Sequence, residues 1–64
     1  MQEGTVKFFN SEKKFGFITP TNSKKDVFVH YSGLIHEIME NDKVAFEIAE
    51  GQKGLHAINV ERID

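Results

Sequence analysis

The sequence predicts an all-β fold, a small barrel of five short strands. Three observations carry this. Turn-forming residues recur at short intervals, at Asn10-Ser11, Pro20-Thr21-Asn22-Ser23, Ser32-Gly33, Asn41-Asp42 and Glu50 through Gly54. The runs between them alternate in the manner of strands. The one segment with helical spacing, Leu34 to Met39, pairs Leu34 with Ile38 and Ile35 with Met39 but is too short to stand as an independent helix. With 64 residues the chain is read as a single domain over 1–64, of a size that buries only about 60% of its unfolded surface.

The first strand runs from Gly4 to Asn10. Val6 and Phe9 both suit a core yet have opposite parity, which predicts a bulge near Lys7 or Phe8 and lets Phe8 face outward beside Lys7. The second strand, Phe15 to Thr19, puts Phe15 and Phe17 on one face and Gly16 and Ile18 on the other. In the third, Lys25 to Tyr31, Phe28 and His30 oppose Val27, Val29 and Tyr31. A single helical turn after Tyr31 and an irregular connection follow, with at least one of its apolar residues closing an end of the barrel. The fourth strand, Lys43 to Ala49, buries Val44, Phe46 and Ile48 and exposes Lys43, Ala45 and Glu47. Leu55 to Arg62 forms the fifth.

Side by side, the second and third strands carry two chemistries. Ile18, Val27 and Val29 make a natural core, which leaves Phe15, Phe17, Phe28 and His30 on the other face. A chain this short has no second layer to cover them. Phe9 and Phe46 are read as core, because their neighbours pack inward and no lysine adjoins them. Exposed flat rings beside positive charge are what single-stranded nucleic acid binds, since every base has a face to stack. Lys7, Lys13 and Lys14 adjoin the rings, and Lys53, with Lys24 or Lys25, stands where the rim would meet phosphate. Asn10 and Ser11 are read first as turn-capping residues.

The net charge of −2 and pI near 5.9 run against the basic balance usual in nucleic-acid-binding domains. The distribution restores the case. Residues 1–31 hold five lysines against three carboxylates, 5 − 3 = +2, and residues 32–64 give 3 − 7 = −4. The positive charge lies in the half with the outward rings.

Catalysis finds little support. There is no Cys, so neither a thiol nucleophile, a disulfide nor a Cys-containing zinc site exists. No Ser, His and carboxylate are spaced as a triad, and His36 and His56 are read as surface histidines. No catalytic residue, metal or cofactor is therefore expected. The start, MQEGTVKFF, has no apolar leader, and no apolar run is long enough to cross a bilayer. A soluble, cytoplasmic chain is expected.

The segments GTVKFFN, SEKKFGFI and DVFVHYSG resemble the bacterial cold-shock domain, with KKFGFI similar to its first ribonucleoprotein motif and VFVHY to its second. AEGQKGLHAINV is similar to the family's last hairpin, so the resemblance covers nearly the whole chain. It implies a five-stranded antiparallel barrel of the oligonucleotide-binding (OB) type. The implied function is low-selectivity binding of single-stranded RNA and DNA by a monomer, with RNA chaperone activity. The family's contact positions fall on Lys7, Phe8, Asn10, Lys13, Phe15, Phe17, Phe28, His30, Tyr31 and Lys53. Tyr31 needs a twist or strand end, because alternation alone points it inward. Phe8 stands where many members have Trp, Lys14 at a usual Gly position, and Leu55 at a common Pro; the connection between Ser32 and Val44 is short and lacks an aromatic residue.

Two other readings fit parts of this pattern. A small SH3-like barrel would dock Pro-rich peptides on an aromatic groove and is the alternative. An RNA-recognition-motif fold requires two amphipathic helices, absent here, and carries its two motifs in the opposite order.

Overall fold

The computed structural model describes residues 2–51 and 54–63. Five strands, β1 (Gln2–Asn10), β2 (Phe15–Pro20), β3 (Val27–His30), β4 (Lys43–Gly51) and β5 (Gly54–Arg62), close into a barrel in the order β1-β2-β3-β5-β4. Four of the neighbouring pairs are antiparallel. The barrel closes through a short parallel contact, in which Phe28 and Val29 of β3 face His56 and Ala57 of β5.

The bulge expected in β1 is present: the β1–β2 register shifts between Val6 and Phe8, so that Val6 pairs with Ile18 while Phe8 pairs with Phe17. Val6 is fully buried and Phe9 packs on the core's edge, so both residues of opposite parity face inward and Phe8 is left outside. Gly16 makes this crossing possible. A Cβ there would collide with the Phe8 carbonyl oxygen and meet the Phe9 ring at 2.8 Å, so β1 coils over β2 only where no side chain intervenes.

The core comprises Val6, Ile18, Val27, Val29, Ile38, Val44, Phe46, Ala57 and Val60, with Phe9, Leu34 and Ile48 packed against it. Small aliphatic residues dominate, as a narrow barrel requires. Ala45 departs from strict alternation in β4. It is buried beside Val44 and Phe46, because the β4–β5 register shifts between Ala45 and Glu47. Opposite that shift Asn59 adopts a left-handed backbone, φ 51°.

After β3 a 3-10 turn, Tyr31–Gly33, takes the place of a further strand residue. This is the strand end that an outward Tyr31 requires, where alternation alone would point it inward. Alternation ends at His30, and Tyr31 turns outward with 52% of its surface exposed. The irregular segment beyond is tied to β5 by Ile35 N–H donating to Val60 O at 2.7 Å. Ile38 plugs this end of the barrel, 6% exposed, whereas Ile35 and Met39 stay outside. Among the described residues no helix is long and apolar enough to cross a membrane.

Candidate nucleic-acid interface

Phe15 and Phe17 of β2 pair in register with His30 and Phe28 of β3, so the parity of two strands sets these four side chains on one outer surface. The β1 bulge adds Phe8. The rings of Phe8, Phe15, Phe17 and Phe28 form one continuous cluster: Phe8 lies 5.5 Å from Phe17, Phe15 stacks on Phe28 at 6.0 Å with 25° between planes, and Phe17 meets Phe28 edge-on at 5.9 Å. These are the offset and edge geometries that aromatic quadrupoles favour. Phe15 and Phe17 are half-buried, yet neither belongs to the core or packs on it. Other rings shield them, and the cluster remains open to solvent through Phe8 at 36% and Phe28 at 38%.

His30 extends the surface at the end of β3. Its Nδ1 accepts the backbone N–H of Ser32 at 3.2 Å and lies 3.0 Å from the Ser32 hydroxyl, capping the 3-10 turn. A backbone N–H can only donate, so the neutral imidazole carries its proton on Nε2. The ring thus offers a face for stacking and one N–H for hydrogen bonding. Beside it a groove of about 550 Å³ is lined by Phe28, His30, Ser32, Gly51, Gly54, Leu55 and His56. His56 reaches this groove because Gly51 has no side chain: a Cβ there would stand 2.9 Å from the imidazole Cε1.

Sequence reasoning placed His56 on the surface without a role, since the parallel β3–β5 pairing that sets it beside Phe28 leaves no local pattern. The available signal was parity alone: Ala57 faces the core, so His56 faces out.

The cations divide into two groups. Lys7 Nζ is held by Asp26 Oδ2 at 3.0 Å, and Thr19 Oγ1 donates to Asp26 Oδ1 at 2.9 Å. Hydrogen bonds from Lys7 and Thr19 hold the Asp26 carboxyl below its ordinary value. Lys7 is therefore on the rim as expected but paired to a carboxylate, and sequence reasoning assigned Asp26 no part. Lys13 and Lys14 are exposed at the β1–β2 turn. Asn10 builds that turn, its side-chain oxygen accepting the N–H groups of Glu12 and Lys13, both at 3.0 Å, so the capping role is occupied and only the amide nitrogen remains for a ligand. Lys24 and Lys25 are exposed in the β2–β3 loop. The position assigned to Lys53 lies outside the described residues. Among the described residues no group of three or more His, Cys, Asp and Glu side chains is placed to hold a metal ion.

The chain has close relatives in sequence. The chain is 49% identical over 67 residues to the major cold shock protein of Micrococcus luteus, covering 98% of this chain and all of that one. It is 55% identical over 64 residues to a cold shock protein of Arthrobacter globiformis, covering 94% and 96%. It is 49% identical over 65 residues to the cold shock-like protein CspC of Escherichia coli K12, covering 95% and 94%. Among solved structures, that of Drosophila Unr CSD456 superposes with a TM-score of 0.80 at 24% identity, covering 98% of this chain and 26% of that one, a likeness of fold. The SH3-like alternative left open by the strand pattern finds no support in these matches. The model of the "cold-shock" DNA-binding domain matches residues 2–63, from the first strand to the end of the last, and the chain belongs to this nucleic-acid-binding family.

Proposed function

We propose that the protein binds single-stranded RNA and DNA with low sequence selectivity and acts as an RNA chaperone, without catalysis. One observation carries this reading: four phenylalanine rings form a continuous solvent-facing cluster on strands whose other face is fully occupied by core. A ring cluster contributes about 1–3 kcal/mol per stacked base and is indifferent to base identity. The residues proposed to make contact are Lys7, Phe8, Asn10, Lys13, Phe15, Phe17, Phe28, His30 and Tyr31, with Lys53 added from the family resemblance. Phe8, Phe15, Phe17 and Phe28 supply stacking. His30 supplies a face and the Nε2–H donor, and the lysines meet phosphates. Asn10 offers its amide nitrogen to a base edge.

Chaperoning follows from mass action. A protein that binds unpaired strands stabilises them by RT ln(1 + [L]/Kd), so weak helices open without an energy source. Modest affinity lets the protein leave again. The names of the relatives as cold shock proteins fit a setting in which RNA helices are overly stable.

The test is titration of a labelled, unstructured oligonucleotide by fluorescence anisotropy. Phe17→Ala combined with Phe28→Ala is expected to weaken binding at least about 30-fold while far-UV circular dichroism stays barrel-like. Native-like affinity in that folded variant would overturn the proposal. Binding is also expected to fall steeply with salt, with a slope of about −0.7 per phosphate contact. A flat salt profile would point instead to an uncharged ligand.

A further inference from the structure

Lys14 occupies a backbone conformation made for glycine, with φ 62°. It is pinned at both ends. Its N–H donates to Asn10 O at 2.7 Å and its carbonyl accepts Tyr31 N–H at 2.9 Å, while the Asn10 side chain holds Glu12 and Lys13 between. The turn therefore cannot relax Lys14 into the right-handed region and keep these bonds, and the direction in which its side chain leaves the backbone is set. Its ammonium stands over the Tyr31 ring, 5.5 Å from the centroid. Among the described residues Lys14 forms no ion pair, so the aromatic face is the partner it would have to surrender. A cleft of about 250 Å³ opens at the same place, with Phe9, Ser11, Leu34 and Met39 among its walls.

We propose that Lys14 caps the Tyr31 ring in the free protein and transfers to a backbone phosphate when a base stacks on that ring. The inference rests on the single-strand binding reading given above. The ordering of energies supports the transfer. An exposed cation–π contact corresponds to about two- to fivefold in an equilibrium constant, whereas base stacking corresponds to about five- to 150-fold. The base displaces the ammonium, and the ammonium is left on a flexible stem next to the strand that displaced it.

Two opposing contributions follow, and salt separates them. The phosphate contact strengthens binding at low ionic strength and is screened at high ionic strength. The cost of uncovering Tyr31 is short-ranged and persists. Lys14→Gln removes the charge and retains the left-handed backbone. It is expected to bind more weakly than the native chain at low salt and about two- to fivefold more tightly at high salt, the two lines crossing as the slope of log K against log salt falls by about 0.7.

The experiment titrates a fluorescein-labelled oligothymidylate with the native chain, Lys14→Gln and Lys14→Gly across about 50 to 500 mM salt, a range over which phosphate contacts lose most of their strength. Lys14→Gly relieves the backbone and removes the ammonium. Equal loss of slope in both variants, with a raised urea midpoint in Lys14→Gly only, assigns the effect to the ammonium. Equal slopes in native and Lys14→Gln, or a loss of the same size at every salt concentration, would overturn the role of Lys14 alone. Absence of binding by the native chain at any salt would overturn both this role and the reading on which it rests.

Discussion

The inner and outer faces of β2 and β3 differ as much as two faces of one sheet can. Inside, Ile18 and Val29 have no solvent exposure and Val27 has 9%. Outside, Phe15, Phe17 and Phe28 rest on one another and Phe28 keeps 38% of its surface in water. The larger apolar side chains are thus the ones left out. The interior of this small barrel is already filled by Phe46 of β4 and the aliphatic residues around it, and closure through β3–β5 leaves the outer face of the sheet with nothing to pack on. Hydrophobicity here serves folding on one side and, in the function proposed, a ligand on the other.

The sharpest way to break this comparison is to truncate one residue from each face. Ile18→Ala is expected to cost about 2–5 kcal/mol through lost burial and the cavity left behind. At roughly 0.05–0.15 kcal/mol per residue, the whole domain has only about 3–10 kcal/mol of stability, so this variant should lose a large share of it and unfold at a much lower urea concentration. Phe17→Ala forfeits ring–ring contacts but creates no core cavity, and is expected to cost about 1 kcal/mol. Urea melts of the two variants decide the matter. Losses of similar size would mean that Phe17 is core and that the outer face is structural.

Much of this arrangement was legible in the sequence because strand parity is a local property. Phe15, Phe17 and Phe28 could be separated from Ile18, Val27 and Val29 by counting, and the conflict between Val6 and Phe9 pointed to the β1 bulge. The misplacements have non-local causes. Alternation alone points Tyr31 inward because it has no means of signalling its own end; the strand end that the resemblance requires there is present, held by Tyr31 N–H donating to Lys14 O on another strand's turn. Ala45 was misread because the register shift that buries it is made with β5. His56 and Asp26 were passed over for the same reason: their partners, Phe28 across a parallel pair and Lys7 on another strand, are distant in sequence. The resemblance to the cold-shock domain supplied Tyr31 and Lys53 as contacts, which alternation could not.

At the edge of the ring surface the comparison is sharpened by backbone strain. Lys14, Asn41 and Asn59 all have positive φ, but Asn tolerates the left-handed region far better than Lys does. Lys14→Gly is expected to stabilise the fold by about 0.5 kcal/mol. Relief of roughly 1–2 kcal/mol of steric cost is partly offset by the greater entropy of an unfolded glycine and by loss of the contact with Tyr31. A urea midpoint raised by this change, against one lowered by Ile18→Ala, would show that the rim of the ring surface is held away from its stability optimum while the inner face is near it.

The smallest effect is expected at Asp26, the carboxylate on the outer rim. Hydrogen bonds from Lys7 and Thr19 lower its folded-state value below the ordinary 3.8. Because the folded value is depressed, the unfolded chain binds a proton at higher pH than the folded one does. The stability contributed by Asp26 is therefore present in full above the ordinary value and is lost as pH falls through the folded one. Asp26→Asn should leave a stability profile that is flatter than the native one in this acid window and slightly lower at neutral pH. Salt should shrink the difference, since the Lys7 side chain is 61% exposed and the pair is screened. Thermal melts of both proteins from acid to neutral pH, at low and high salt, measure it. If the native chain lost as little stability on acidification as Asp26→Asn, the Lys7–Asp26–Thr19 arrangement would contribute nothing to folding, and its place on the rim would answer only to what Lys7 must contact.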